Sequence, residues 1–362
     1  MADRPFLSFF TPIYNGKEYL NEYLESFKNQ TCQNFEVVFW DDCSTDDSRD
    51  IITDFIKNNS TWDGQYRLYK SERNMGSGHF YLPKIVDYLN GEYTFSFSQD
   101  DFIDVNFVEL CYQKSQEKDY DIILTNTALY KNDQTILLGR EYLSEFSNGR
   151  LTNRDLFNLS LTWKVSSNGC RKISLLKKEG YFADTYYNID ELVLRKSLLM
   201  TDRIAYVDTN YYYRVDNKNA LTKKVKPFTF DILITDTMLT DFMIEKDFKQ
   251  ADIEKQIRKL VDENNWYIFQ FFENMHNYSV EPQLQIKEKL IKAREKIVSY
   301  SETYKVDISN LYDLEQVEKG VCYKKKGLKP FWEILTYRKG ADRLRAVKIF
   351  GIQIAKWMIK KK

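Results

Sequence analysis

"TFSFSQDDFID", Thr94 to Asp104, is the stretch on which the reading of this chain turns. An aromatic strand pattern stops abruptly at Ser98, Gln99 and two adjacent acids, Asp100 and Asp101. Strands are poor in aspartate, and neighbouring like charges repel. One explanation is a helix start, with Asp100 to Asp104 in or before a first turn and complementing its dipole. The other is a cation and phosphate site at the C-terminal edge of a strand.

The sequence around it favours a sheet with such an edge. "FLSFFTPIYNG" reads as a buried first strand closed by Pro12, Asn15 and Gly16. Tyr19, Leu20, Tyr23, Leu24 and Phe27 then recur at helical spacing. "FEVVFWDD" is a second strand, and "STDDSRDIITDFIKN" a capped amphipathic helix. "YRLYK" is a third strand, "YLPKIVDYLNG" a helix ended by Gly91, and "EYTFSFS" a fourth strand. "VNFVELCYQKSQEK" and "YDIILTN" add a helix and a strand. Alternating strands and helices predict an α/β fold with an open, mostly parallel sheet. Ligands in such sheets sit beyond the strands' C-terminal ends. Three polar clusters fall there: Thr11–Asn15, Asp41–Asp46 and Ser98–Asp101.

Beyond Lys223 the pattern changes to long charged helices, expected over Thr229–Phe248, Asp252–Met275 and Gln283–Tyr304. This predicts one domain over residues 1–222 and a mainly helical one over 223–362, with the boundary near Thr222–Pro227. The chain has 362 residues, 15% aromatic, which suits a folded protein with more than one domain. Zero formal net charge argues against a nucleic-acid-binding footprint. The balance is uneven, however: Tyr323 to Lys362 holds 13 Lys and Arg against Glu333 and Asp342.

The five cysteines are scattered without a C-x-x-C and only two histidines occur, so neither a disulfide framework nor a zinc site is expected. The first residues carry too short an apolar run for a signal peptide, and no stretch is long enough for a membrane span. A cytoplasmic protein is expected, soluble or peripheral at the inner membrane face.

The order "TPIYNGKEYLNEYLESFKNQTCQNFEVVFWDDCSTDDS" resembles the opening of family 2 glycosyltransferases of GT-A fold, whose sheet is Rossmann-like. Pro12, Tyr14, Asn15, Gln30, Thr31, Asp41, Asp42, Ser44, Thr45 and Asp46 match in order, with Cys43 where the family usually has glycine. The resemblance continues through "ERNMGSGHFYLPKIVDYLNGEYTFSFSQDD" and "NIDELVLRKSLLMTDRIAYVDTNYYYR", covering roughly residues 5 to 222. It is to the bacterial enzymes of capsule and cell-wall polysaccharide synthesis.

The resemblance implies a nucleotide diphosphate-sugar donor, a UDP-sugar favoured, and single displacement with inversion. Thr11, Pro12, Tyr14, Asp41, Asp42 and Gln99 would line the donor site with Asp100; a carboxylate suits base N–H and ribose hydroxyl donors. Helix capping is the other reading for Asp41 and Asp42, and packing for Tyr14. The "RNMGSGH" loop offers backbone N–H groups near phosphate, while Arg73 and Lys84 read as phosphate partners or as solvated charges.

In this family the fourth strand ends in Asp-x-Asp, whose last acid binds Mg²⁺ or Mn²⁺ at the diphosphate. Here the triplet is Ser98-Gln99-Asp100, so the first acid is missing. Asp100 becomes the main expected metal ligand, Asp101 the second, and the affinity weak. The general base is expected at Asp190 in "NIDELVL", with Glu191 in reserve and Ile189 where the family has glutamate; the other reading of Asp190 is a helix cap. Trp163 reads equally as a sugar-stacking or a packing residue.

The tail "RLRAVKIFGIQIAKWMIKKK" mixes apolar residues and Trp357 with lysines, as a segment lying on an anionic membrane would; packing on the helical domain is the alternative. A glycan or lipid-linked acceptor and a second subunit are the other expected partners. The rival function is a non-catalytic scaffold that binds nucleotide-sugar or glycan, suggested by Ser98. A nucleotidyltransferase or a dinucleotide dehydrogenase would need a Gly-rich loop straight after the first strand, which "TPIYNGKEY" lacks.

Overall fold

The structure is a computed structural model. It describes residues 4–178 and 186–314, and the backbone of strands within 332–359. The chain groups into two compact units: Met1–Thr185 with Val193–Lys218 and Phe331–Lys362, and Tyr186–Leu192 with Asn219–Pro330. This differs from a single cut after residue 222, because Tyr186–Leu192 is counted with the later helices and Phe331–Lys362 with the first unit.

The first unit opens with β1 (Leu7–Ile13), α1 (Lys17–Lys28), β2 (Phe35–Asp41), α2 (Ser48–Asn59) and β3 (Tyr66–Lys70). After α3 (Leu82–Ile85) come β4 (Tyr93–Ser96), β5 (Phe102–Ile103) and α4 (Phe107–Glu117). Then follow β6 (Ile122–Lys131), β7 (Gln134–Leu138), α5 (Arg140–Ser147), α6 (Asn153–Ser160), β8 (Gly169–Lys172) and α7 (Ile173–Lys178). The last described elements before the helical unit are α8 (Ile189–Ser197) and β9 (Ile204–Arg214).

The sheet runs β3-β2-β1-β4-β8-β6-β9-β5, with β7 on β6. Its first four strands are the expected parallel block. Beyond β4 the sheet is mixed: β8 is antiparallel to β4 and β6, whereas β6 and β9 are parallel. β1 and β2 are almost wholly buried, as continuous apolar runs covered on both faces should be. The core below them is aromatic: Phe9 meets Phe27, Phe35, Phe95 and Phe97 with ring centroids 4.9 to 6.1 Å apart. Such pairs add about 0.5–1.5 kcal/mol each beyond area burial.

The helix expected over "YLPKIVDYLNG" is only one turn of α-helix between two 3₁₀ turns. Pro83 lacks an N–H, and the chain becomes extended at Leu89. Buried Glu36 then takes the amide of Asn90 at 2.5 Å, together with the Ser8 hydroxyl and Arg67 at 2.6 Å. One carboxylate thus ties β1, β2, β3 and the approach to β4.

In the second unit α9 (Asp231–Glu245), α10 (Gln250–Asn274) and α11 (Val280–Tyr304) match the three expected helices to within a few residues. Phe230, Leu233, Tyr267, Ile268, Phe271, Ile286 and Leu290 form its core. Lys259 bridges Asp236 at 2.8 Å and Glu263 at 3.2 Å between α9 and α10. Burial and the nearby Asp236 charge push the Glu263 carboxyl well above the usual range.

Residues Trp332–Lys339, Asp342–Ile349 and Ile352–Ile359 form three antiparallel strands (β10, β11, β12), so the C-terminal region is not helical throughout. The tail's side chains, on which membrane contact was expected, lie outside the described residues. Among the described residues no helix is long and apolar enough to cross a membrane.

Candidate active site

The ends of β1, β2 and β4 lie side by side, because β1 is flanked by β2 and β4 in parallel. Thr11 is fully buried and shares a short hydrogen bond with the Tyr23 hydroxyl, so it holds α1 to β1 and faces the core. Pro12 forms the floor under the glycine loop: a Cβ on Gly78 would lie 2.4 Å from its ring. Tyr14 is exposed at 47%. Asn15, at φ +47°, accepts the Thr45 amide at 2.7 Å and donates its own amide to Ser44. The first two loops are therefore locked together.

At the end of β2, Asp41 is buried and accepts the Ser44 amide on Oδ1 at 2.9 Å. Its Oδ2 is buried without a hydrogen-bond partner and lies 3.6 Å from Arg49. The Arg49 charge compensates this oxygen, which still has room to accept a ligand N–H or O–H. Asp42 differs. Its oxygens accept the amides of Met75 at 2.8 Å and Gly76 at 3.0 Å, and a short bond from the Tyr81 hydroxyl. It shapes the 74–76 loop, and two amides expected to face phosphate are held by it. Arg73 and Lys84 are exposed. Cys43 adopts φ +64°, so the turn keeps the left-handed conformation that glycine would favour.

The opening segment resolves in the same manner. Gln99 donates to the Tyr14 carbonyl at 2.9 Å and accepts the Tyr14 amide at 3.0 Å, joining the first and fourth strand ends. A side chain at Gly16 would collide with it, at 2.3 Å from its Oε1. Asp101 is buried. It accepts the Arg214 amide at 2.8 Å and a short bond from the Tyr211 hydroxyl. Burial, and then the charge of Asp100, raise its carboxyl well above the usual range. This geometry makes Asp101 a brace for β9 and takes it out of the expected ligand pair. A buried acid whose two oxygens already accept hydrogen bonds is a poor cation ligand.

Asp100 is partly exposed and accepts a 2.7 Å bond from Asn217. Arg214 donates to the Asp100 carbonyl at 2.8 Å and to Glu22, while its guanidinium lies 5.1 Å from the Tyr19 ring and 4.9 Å from that of Tyr130. Arg214 and Asn217 thus set the Asp100 loop, a role the sequence reading did not assign. The only signal was their place at the end of the "YYYR" strand.

The donor set for a divalent cation is thin. Among the described residues no three His, Cys, Asp or Glu side chains are grouped to hold one. Ser98 is exposed and uncharged. One carboxylate plus substrate phosphate oxygens is nonetheless a set that Mg²⁺ uses. The residues fit an ion carried by the nucleotide and touched by Asp100, not a cage made by protein alone.

Asp190 and Glu191 occupy the first turn of α8 and are counted with the second unit. The turn before them is anchored by α9. Asp231, buried and ion-paired to Lys289 at 2.6 Å, accepts the Tyr187 amide at 3.1 Å, and Thr235 donates to the Asn188 side chain at 2.6 Å. Burial, then the Asp190 charge, raise the Tyr187 phenol above its usual value. Trp163 sits at φ +56°, uncommon for so bulky a residue, with the Arg195 guanidinium 5.5 Å from its ring.

The model of the family described as "Glycosyl transferase family 2" matches residues 8–171. Glycosyltransferase GlyG of Streptococcus pneumoniae is 28% identical over 57% of this chain and 69% of its own length. The poly(ribitol-phosphate) beta-glucosyltransferase of Bacillus spizizenii is 25% identical over 62% of this chain, which spans 35% of that protein. Residues 1–349 of S. aureus TarS, solved in complex with UDP-GlcNAc, share the fold with a TM-score of 0.55 at 19% identity, covering 91% of this chain and 94% of that one. The family match begins in β1 and ends in β8, so residues 8–171 carry a glycosyltransferase family 2 domain on the sheet whose strand ends bear the Asp41 and Asp100 loops.

Proposed function

We propose that the enzyme moves a sugar from a nucleotide diphosphate-sugar, a UDP-sugar first, to a glycan or lipid-linked acceptor in surface polysaccharide synthesis, with inversion at the anomeric carbon. The observation that carries this reading is the buried Asp41 Oδ2, ion-paired to Arg49 at 3.6 Å but accepting no hydrogen bond, with exposed Tyr14 at adjoining parallel strand ends. An acidic oxygen suits the N–H of a base or a ribose hydroxyl, and an exposed ring suits stacking.

The reaction is a single displacement. The acceptor oxygen forms a bond to the anomeric carbon as the bond from that carbon to the diphosphate breaks. Asp190, with Glu191 in reserve, takes the acceptor's proton, and the nucleoside diphosphate leaves with the bonding pair. The turn held by Asp231 and Thr235 fixes where that carboxylate begins its helix. Asp100 would hold Mg²⁺ or Mn²⁺, which supplies charge neutralisation at the diphosphate when bound.

The test is nucleoside diphosphate release from a panel of UDP- and GDP-sugars, begun with UDP-GlcNAc, with and without acceptor glycans. NMR of the product then reads the anomer. Turnover with an inverted anomer, abolished in Asp190→Asn, is expected. A retained anomer contradicts the displacement. Tight nucleotide binding without turnover against any acceptor would favour the scaffold reading, which the uncharged Ser98 supports.

A further inference from the structure

Helix α11 carries two apolar stripes. The inner one, Ile286, Leu290, Ala293, Ile297 and Tyr300, is buried in its own unit. The outer one is Val280, Leu284 and Ile291, exposed at 71%, 57% and 49%, continued by half-buried Val298. Leu284, Ile291 and Val298 recur every seven residues. On a straight α-helix that period drifts by about 20° per repeat, so the three stay on one narrow seam. The flanks share the period. Lys287 and Arg294 run along one side, and Glu281, Glu288, Glu295 and Glu302 along the other. Packing within the chain explains the inner stripe but not a second, charge-sorted seam facing solvent.

We propose that this seam pairs with the same seam of a second copy of the chain, the two α11 helices lying parallel about a two-fold axis. The charges select both occupant and direction. In a parallel pair, Leu284, Ile291 and Val298 meet their own counterparts across the axis. The basic flank of each helix then faces the acidic flank of the other, with Lys287 near Glu288 of the partner subunit and Arg294 near Glu295 of the partner subunit. An antiparallel pair would set basic against basic and acidic against acidic, which is repulsive. An anionic membrane would attract only the basic flank and repel Glu281, Glu288, Glu295 and Glu302, whereas a second copy in parallel uses both flanks.

These charges also have partners within the chain. Glu288 pairs with Lys292 at 2.6 Å, Arg294 with Asp313 at 3.2 Å, and Lys287 lies 5.9 Å from the Phe271 ring centroid. The apolar seam therefore supplies the affinity and the flanks supply the direction. One helix seam falls short of the roughly 800 Å² per partner of a standard interface, so the dimer is weak, with a dissociation constant on the order of micromolar or above.

The test is sedimentation of the full chain from about 1 to 200 µM, which brackets that range. Mass should rise towards a dimer. Ile291→Asp should weaken association at least tenfold while leaving the melting temperature unchanged, since the position is exposed. Under mild oxidation the Leu284→Cys variant should form a disulfide between the two copies through the introduced thiols, mapped by mass spectrometry. A monomer at every concentration overturns the proposal, as does a dimer indifferent to Ile291→Asp. Crosslinking through Ile291→Cys but not Leu284→Cys overturns the parallel arrangement. Vesicle binding by a chain that stays monomeric, lost in Ile291→Asp, assigns the seam to lipid instead.

Discussion

Two Asp–Asp pairs stand on either side of β1, Asp41–Asp42 at the end of β2 and Asp100–Asp101 after β4, and each is divided in the same sense. The second acid of each pair works inward. Asp42 holds the amides of Met75 and Gly76, and Asp101 holds Tyr211 and the amide of Arg214. The first acid is the one proposed to meet ligand: Asp41 has an oxygen that accepts no hydrogen bond, and Asp100 is partly exposed. In each pair both oxygens of the second acid accept bonds from the protein, while the first acid is also held, Asp41 by the Ser44 amide and Arg49 and Asp100 by Asn217. The pairs also differ. Asp41 is completely buried, whereas Asp100 lies on a loop held by Asn217 and Arg214.

The largest expected effect breaks the first-acid role. Asp100→Ala should lower kcat by about 10²–10³-fold, the scale for losing a group that stabilises transition-state charge. Its melting temperature should stay near that of wild type, and a parallel fall in both would refute the division.

Next comes the second acid of the same pair. Asp101→Ala leaves the Tyr211 hydroxyl and the Arg214 amide unpaired, which should cost about 2–4 kcal/mol in denaturant titrations. Asp101→Asn should cost much less. The raised Asp101 carboxyl also fixes a sign in pH. Between the ordinary aspartate pKa and its raised folded value, the folded state holds more protons than the unfolded one, so this group's stabilisation is present at low pH and falls as pH rises. Asp101→Asn should remove that downward slope; an unchanged slope would place the titration elsewhere.

A smaller effect is expected at Asp42→Ala. Loosening the 74–76 loop should raise donor KM by about tenfold with kcat little changed, as for lost uniform binding. The smallest is Cys43→Gly. Relief of a left-handed conformation should stabilise the fold by about 1 kcal/mol without altering activity. Destabilisation there would mean that the thiol's 3.3 Å contact with the Ser71 carbonyl matters more than backbone strain.

The parallel half of the sheet was legible because its strands are continuous apolar runs ending in turn residues, and the long helices α1, α2, α4 and α9 to α11 because their apolar periods are long. β5, β7 and β8 were not read: they have two to five residues, and their pairing is set by distant strands. At the site, the order of acids was legible but their division was not. Nothing local in "DD" says that Tyr211, 110 residues away, will bond to Asp101. Likewise, the anchoring of the Asp190 helix by Asp231 is a contact across 44 residues.

The most direct test is a thermal-shift panel of UDP, GDP, dTDP and CMP, each with Mn²⁺ or EDTA, on wild type, Asp100→Ala and Asp101→Asn. A ligand that binds only the folded state raises the melting temperature. UDP should raise that of wild type, and more with Mn²⁺. The Mn²⁺-dependent part should vanish in Asp100→Ala and persist in Asp101→Asn. A Mn²⁺ response that survives in Asp100→Ala but is lost in Asp101→Asn, or no shift with any nucleotide, would contradict the account.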